Sequence, residues 1–256
     1  FRAMPRRVLR VFSLLVPLSL GLVISPVMKS AIAQTNGQHA EALLKQCQSN
    51  VQQTIPPPID NRLWAGQGEE YEASLQPCHE ALVLSRQRGD RPNEAQVLSE
   101  LGFAYIHLLD NYLEGLESEQ RAVYFDQAVD VLDAALVIYR DLDNRPQVAK
   151  TLYRLGYTHR EVGQYEQGVT YLTQALNLYQ TLDPAELAGD ASGLKNYTAA
   201  YIQLGLVYRG LEEYEQAISS FNQAITQAQA SALFDQESIA LFQLGVTHRT
   251  TGQELE

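Results

Sequence analysis

Only two cysteines occur in the 256 residues, Cys47 and Cys78, 31 positions apart. That spacing excludes a zinc knuckle or a C-x-x-C redox motif, both of which need closely spaced thiols. The pair either closes one disulfide or stays as two buried thiols. Basic side chains are also scarce, 19 Lys and Arg against 30 Asp and Glu for a formal charge of −11. A field of that sign repels phosphate backbones, which argues against nucleic acid and for a basic protein surface or a peptide as partner. The five histidines, His39, His79, His107, His159 and His248, show no ligand spacing, and His79-Glu80 lacks the second His of a zinc-protease helix. No phosphate loop, nucleophile elbow or deaminase signature is found. The segment is therefore expected to be non-enzymatic, with no cofactor and no metal.

Long apolar runs are missing too. The one candidate, Val11 to Val23, is interrupted by Pro17 and Gly21 and followed by Ser25 and Pro26, short of the roughly 20 consecutive apolar residues that a membrane span needs. Arg2, Arg6, Arg7 and Arg10 precede the run and Ala31-Ile32-Ala33 follows it, which is the order of a secretory signal peptide. Residues 1–33 are read as that signal, with cleavage expected between Ala33 and Gln34. The mature chain is then exported to the periplasm or another extracytoplasmic compartment and has no membrane contact. Cleavage removes five basic residues and no acidic one, taking the formal charge from −11 to −16. Both cysteines lie in the exported part, where thiols meet oxidising conditions.

What the chain does have is an internal repeat, the first thing to look for. Leu-Gly followed three residues later by an aromatic or His occurs four times: Leu101-Gly102 with Tyr105, Leu155-Gly156 with His159, Leu204-Gly205 with Tyr208, and Leu244-Gly245 with His248. A second block accompanies it as Tyr71, Ser74, Cys78, Ala81, then Phe125, Ala128, Leu132, Ala135, then Tyr165, Gly168, Leu172, Ala175, then Tyr214, Ala217, Phe221, Ala224. Its spacings of 3, 4 and 3 are the same in all four copies and place each set along one stripe of a helix.

These two blocks resemble the tetratricopeptide repeat, in which small residues let antiparallel helices approach and large ones fill between neighbours. The resemblance covers about residues 65–256 and implies an all-α, right-handed α-solenoid of antiparallel helix pairs, about four and a half repeats long. Gly205 to Gly245 gives a period of 40 residues, against the usual 34. The extra length falls between repeats, where Arg88-Gly89-Asp90-Arg91-Pro92 and Leu142-Asp143-Asn144-Arg145-Pro146 stop the helices. This is similar to the longer-period variety found in scaffold proteins and, in bacteria, often ahead of caspase-like CHAT domains.

Several departures from a regular array are expected. Nine extra residues, Asp183 to Ala191, read as a polar loop between repeats. Tyr105 to Phe125 spans twenty residues where the other copies span six; the fourteen added are close to four helical turns. Both helices of that hairpin should lengthen by about two turns and reverse near Gly115. The first repeat lacks its Leu-Gly, with Asn61-Arg62 in its place. Residues 34–64 are instead read as a capping helix, Gln38 to Gln53, and a stiff connector around Pro56-Pro57-Pro58, with Cys47 placed to meet Cys78. At the other end Thr251-Gly252-Gln253 opens a turn like Val162-Gly163-Gln164 before the sequence stops at Glu256, so the chain reads as a piece of a longer product.

The resemblance also implies a function, an exported scaffold or adaptor that holds a peptide or helix in the groove lined by the first helix of each pair. By register the groove residues are Ser99, Phe103 and Ile106, then Tyr153, Tyr157 and Arg160, then Ile202, Leu206 and Arg209, then Phe242, Val246 and Arg249. Arg160, Arg209 and Arg249 should stack as a ladder able to fork carboxylates. The Lys and Asn constellation of the chaperone-tail-binding repeats is missing. An alternative is that these repeats are the recognition arm of a longer enzyme, such as a CHAT protease whose catalytic domain lies beyond Glu256.

Overall fold

The computed structural model describes residues 26–53, 68–111, 118–189 and 192–252. Among them are eleven helices and no strand. These are α1 (Pro26–Gln53), α2 (Gly68–Ser74), α3 (Gln76–Arg88), α4 (Arg91–Asn111), α5 (Ser118–Asp141), α6 (Arg145–Glu161), α7 (Tyr165–Tyr179), α8 (Pro184–Gly189), α9 (Gly193–Gly210), α10 (Tyr214–Ala230) and α11 (Phe234–Thr251). The chain divides into Phe1–Gln38 and His39–Glu256. The described part of the first unit is the opening of α1, and all of α2 to α11 belongs to the second. Most of the expected signal, the Pro56-Pro57-Pro58 connector, Asn61-Arg62, the Gly115 reversal and the residues after Gly252 lie outside the described residues.

Helices α4 and α5, α6 and α7, and α9 and α10 pack as pairs, and α5, α7 and α10 each pack also on the first helix of the next pair. The recurring Leu-Gly explains the closeness within pairs. A Cβ added at Gly102 would lie 2.5 Å from the Leu132 side chain, one at Gly156 2.5 Å from Leu172, and one at Gly205 2.5 Å from Phe221. Each large residue thus fills a notch that only glycine leaves open. The stripe that supplies it is sealed, with Ala128, Leu132, Ala135, Leu172, Ala175, Ala217, Phe221 and Ala224 fully buried.

Turns repeat the same backbone solution. At Gly163 the chain turns left-handed and donates N–H to Arg160 O (3.0 Å) while Gln164 N–H reaches His159 O (2.9 Å), the paired bonds that satisfy orphan carbonyls at a helix end. The same pair recurs at Gly89, Asp143, Glu212 and Ala232, so three of these turns hold a non-glycine residue at positive φ. Asp143 is followed by Asn144, whose side chain caps α6 at Gln147 N–H.

The first repeat departs from the others. Its second helix is broken into α2 and α3 at Leu75 because Pro77 has no N–H to give and its ring crowds the carbonyl four residues back. Ser74 Oγ instead donates to Tyr71 O (2.6 Å) and Cys78 N–H to Leu75 O (2.9 Å). Its first helix is supplied by α1. Leu43, Leu44, Cys47 and Val51 join the same core as Tyr71, Leu75, Cys78 and Leu98, Asn50 Nδ2 donates to Ser74 O (2.8 Å), and Cys47 is joined to Cys78 by a disulfide with a Cα–Cα distance of 4.8 Å.

One expected feature differs. The segment Asp183 to Ala191 is not simply a loop, since Pro184–Gly189 form α8. The sequence contains a complete start signal: Asp183 Oδ1 accepts from Glu186 N–H (2.8 Å), Glu186 Oε2 accepts from Asp183 N–H (2.9 Å), and Pro184 takes the first helical position, a reciprocal capping box with the acidic residues it needs. Leu187 then packs onto the core. Both helices of the hairpin around the undescribed residues 112–117 are longer than their counterparts: α4 runs nine residues past Gly102, whereas α6 and α9 run five past Gly156 and Gly205, and α5 begins seven residues before Phe125, whereas α7 and α10 begin at Tyr165 and Tyr214.

Candidate functional site

The first helices α4, α6, α9 and α11 pack side by side in that order and carry the twelve positions expected to line the groove. Three residues before each glycine, Ser99, Tyr153 and Ile202 are buried, but Phe242 is 67% exposed. One residue after it, Tyr157 is buried while Phe103, Leu206 and Val246 are partly exposed. Four residues after it, Ile106 is buried, Arg160 and Arg209 are partly exposed and Arg249 is exposed. Of the six positions on α4 and α6, Ser99, Ile106, Tyr153 and Tyr157 are buried and Phe103 and Arg160 are not, and the most exposed of the twelve are Phe242 and Arg249 on α11.

Arg154 accounts for the closed half. Buried to 4% exposure, it donates from Nη1 to Ser99 O (2.6 Å) and Ser99 Oγ (2.7 Å), lies 3.7 Å from Glu100 and stacks over Phe103 at 4.5 Å from the ring centroid. A buried guanidinium needs a carboxylate and several acceptors, and Ser99, Glu100 and Phe103 are committed to it. Arg154 escapes a search by register because it falls one position outside the groove columns. A lone cation beside Leu155-Gly156 is the signal that it has a task inside the array.

The open half carries the arginines. Arg160 lies over the Tyr157 ring at 4.9 Å and pairs with Glu161. Its buried Nε has no hydrogen-bond partner among the described residues. Arg209 Nη1 donates to Gln243 Oε1 (2.8 Å) on α11. Burial, and then the charge of Arg160, push the Arg209 guanidinium below its ordinary pKa. The positive charges on α6 and α9 are thus near enough to repel. His159 sits deeper, with Nδ1 2.7 Å from Gln164 Oε1 and its ring stacked 5.2 Å from Tyr171, a packed histidine. Among the described residues no group of three His, Cys, Asp or Glu is placed to hold a metal, and no helix is long and apolar enough to cross a membrane.

Residues 125–181 and 198–231 match two family models, each described as a tetratricopeptide repeat. No curated protein matches the chain significantly. A similar solved structure is titled "Crystal structure of BtubC (BKLC) from P. vanneervenii"; it is 17% identical over 83% of this chain and 84% of that one, with a TM-score of 0.43. With the recurring helix pairs and their glycine notches, the matched stretches show that the chain carries tetratricopeptide repeats, which point to a scaffold for protein–protein interaction.

Proposed function

We propose that the chain acts in an extracytoplasmic compartment as a non-enzymatic adaptor, holding a peptide or helix of a partner protein on the open half of its inner face. The observation that carries this is the exposure of Phe242, at 67%, on the same inner face as the partly exposed Leu206 and Val246. An exposed aromatic beside aliphatic groups and arginines is the composition of a binding hot spot. The crowded pair Arg160 and Arg209, in a chain of charge −11, favours a partner segment that brings a carboxylate between them. The Cys47–Cys78 disulfide supports the exported location, since such bonds persist in oxidising compartments.

A photo-crosslinking residue placed at Phe242 tests this reading in extracts of the exported fraction, with the same residue at Val137, exposed on α5, as control. The expected result is a discrete adduct from position 242 only, lost in the Arg160→Glu, Arg209→Glu variant. Equal labelling from both positions, or an adduct indifferent to the two charge reversals, overturns the groove reading.

A further inference from the structure

Helix α11 packs on α9 and α10 and buries Ala240, Leu244 and Thr247. Its other side carries Asp235, Ile239, Phe242, Val246 and Arg249, spaced 4, 3, 4 and 3 residues apart. That spacing makes one stripe along a helix, here roughly 21 Å long. Ile239 and Phe242 are 45% and 67% exposed, Asp235 and Arg249 are exposed, and Val246 is partly so. The matching positions on α9 are Lys195, Ala199, Ile202, Leu206 and Arg209, basic at both ends and with Ile202 buried.

The α11 stripe complements itself. Asp235 and Arg249 stand seven residues to either side of Phe242. A second copy of α11 laid antiparallel about a two-fold axis at Phe242 therefore sets Asp235 against Arg249 at both ends, Ile239 against Val246 further in, and the two Phe242 rings together at the centre. Laid parallel, it would set like charge on like charge. Self-complementarity of one patch is what a two-fold interface requires, and apolar layers between paired charges are the arrangement of a coiled coil. Among the described residues neither Asp235 nor Arg249 makes an ion pair; Lys195 lines the same depression as Asp235 without pairing to it. Acids at a helix start and bases at its end also suit the helix dipole, which accounts equally for Glu237 and His248. The dipole does not place an exposed isoleucine, phenylalanine and valine in line between them.

We infer that the chain pairs with a second copy of itself, two-fold and antiparallel, through the α11 stripe. The pairing adds regulation to the groove reading and rests on that reading to this extent alone: Phe242, Val246 and Arg249 belong to both, so a chain paired through α11 withholds them from another protein. The dimer itself stands apart, since neither Arg160 nor Arg209 lies in the stripe. Four turns of one helix cover less than the roughly 800 Å² per partner of a standard interface, so the dimer is reversible and forms in the micromolar range.

Sedimentation velocity of the full chain from about 1 to about 300 μM, which spans that range, tests it. The expected result is a monomer that gives way to a dimer as concentration rises. Phe242→Ala, at an exposed side chain that the fold does not need, should weaken dimerisation by about thirtyfold. Asp235→Arg and Arg249→Asp should each weaken it by about tenfold when alone. An equimolar mixture of those two variants should recover the parent's dimer, because one then carries bases and the other acids at both ends of the stripe. Arg160→Glu with Arg209→Glu should dimerise as the parent does while losing the groove adduct, so failure of the dimer and failure of the groove reading are told apart. A chain that stays monomeric throughout overturns the inference. So does a dimer indifferent to Phe242→Ala, and so does a mixture no more associated than its components. A monomer whose position 242 crosslinks only to a different protein assigns the stripe to that protein and overturns it as well.

Discussion

The notch at Gly205 offers a sharp test of how the pairs are held. A methyl group there would stand 2.5, 2.7 and 2.8 Å from three atoms of the Phe221 ring, where ordinary contact begins at 3.4 Å. The ring must therefore retreat by about 0.9 Å, and it is fully buried among Ala217, Ala224 and Ala240. Overpacking of this kind costs about 2 kcal/mol. Alanine in place of a helical glycine returns about 1 kcal/mol of propensity, so Gly205→Ala should destabilise the protein by about 1 kcal/mol. Truncating the ring reverses the sign. In a Phe221→Ala background, itself costing about 3 to 5 kcal/mol, the methyl has room and only the propensity gain remains, so Gly205→Ala should then stabilise by up to about 1 kcal/mol. The coupling in this double-mutant cycle is about 2 kcal/mol. Urea titrations followed by far-UV circular dichroism, compared at equal m-value, measure all four proteins. A Gly205→Ala variant that is stabilised in the parent, or that costs the same with and without the Phe221 ring, refutes the argument that glycine is there for the ring.

Three further outcomes are expected. Replacing both cysteines by Ser opens a 31-residue loop and should cost about 3 to 4 kcal/mol in the chain-entropy account; since stability in an array is largely nearest-neighbour, hydrogen exchange should show protection lost first in α1 to α4 and kept in α9 and α10, and uniform loss would contradict this. Glu212 stands at φ 62° where the equivalent turns have Gly163 and Gly252, so Glu212→Gly should stabilise by about 1 kcal/mol, and a variant that melts no higher counts against left-handed strain at that turn. Burial first, and Asp130 second among the raising influences, hold the Asp133 carboxyl above its usual 3.8 while His159 and Arg140 pull it down. A raised folded pKa means that the group's stabilising contribution is present below its unfolded value and is lost as pH rises through the folded one. Asp133→Asn should therefore raise Tm at pH 7 and leave it unchanged below about pH 3.8, and an advantage that persists in acid would refute it.

How much of this fold could be read from the residues depends on how local the determinant was. Leu101-Gly102 and its three later copies are written twice over, once in the notch and once in the stripe that fills it, so helix pairing was legible. The Asp183-Pro184-Ala185-Glu186 capping box was equally local, but a count of surplus residues conceals it: an insertion between repeats looks like a loop until its own start signal is considered. Pro77 is easily missed for a related reason. The stripe Tyr71, Ser74, Cys78, Ala81 keeps its register through the break between α2 and α3, because apolar spacing reports which side faces the core and says nothing about whether the backbone ladder is continuous.

The depth of the twelve expected groove positions was not legible from their columns. Copying one register onto α4, α6, α9 and α11 treats every repeat as equally open, whereas burial of a column depends on what the neighbouring repeat lays across it. The position two residues before the recurring glycine decides the matter: it holds Glu100, Arg154, Gln203 and Gln243 in turn. At the first step a long guanidinium answers a carboxylate, reaching from α6 to Ser99 and Phe103 and closing the face over them. At the last step two amides follow one another, neither charged and neither long enough to do the same, and the cation that crosses from α9 to α11 is Arg209, four residues beyond its glycine. The stitch has moved to the far end of the helices, and the stretch it no longer covers is where Leu206, Val246 and Phe242 remain accessible. Replacing Gln203 with Arg, and Ser or Ala for the residues it would overlie, would on this reasoning close the groove from within.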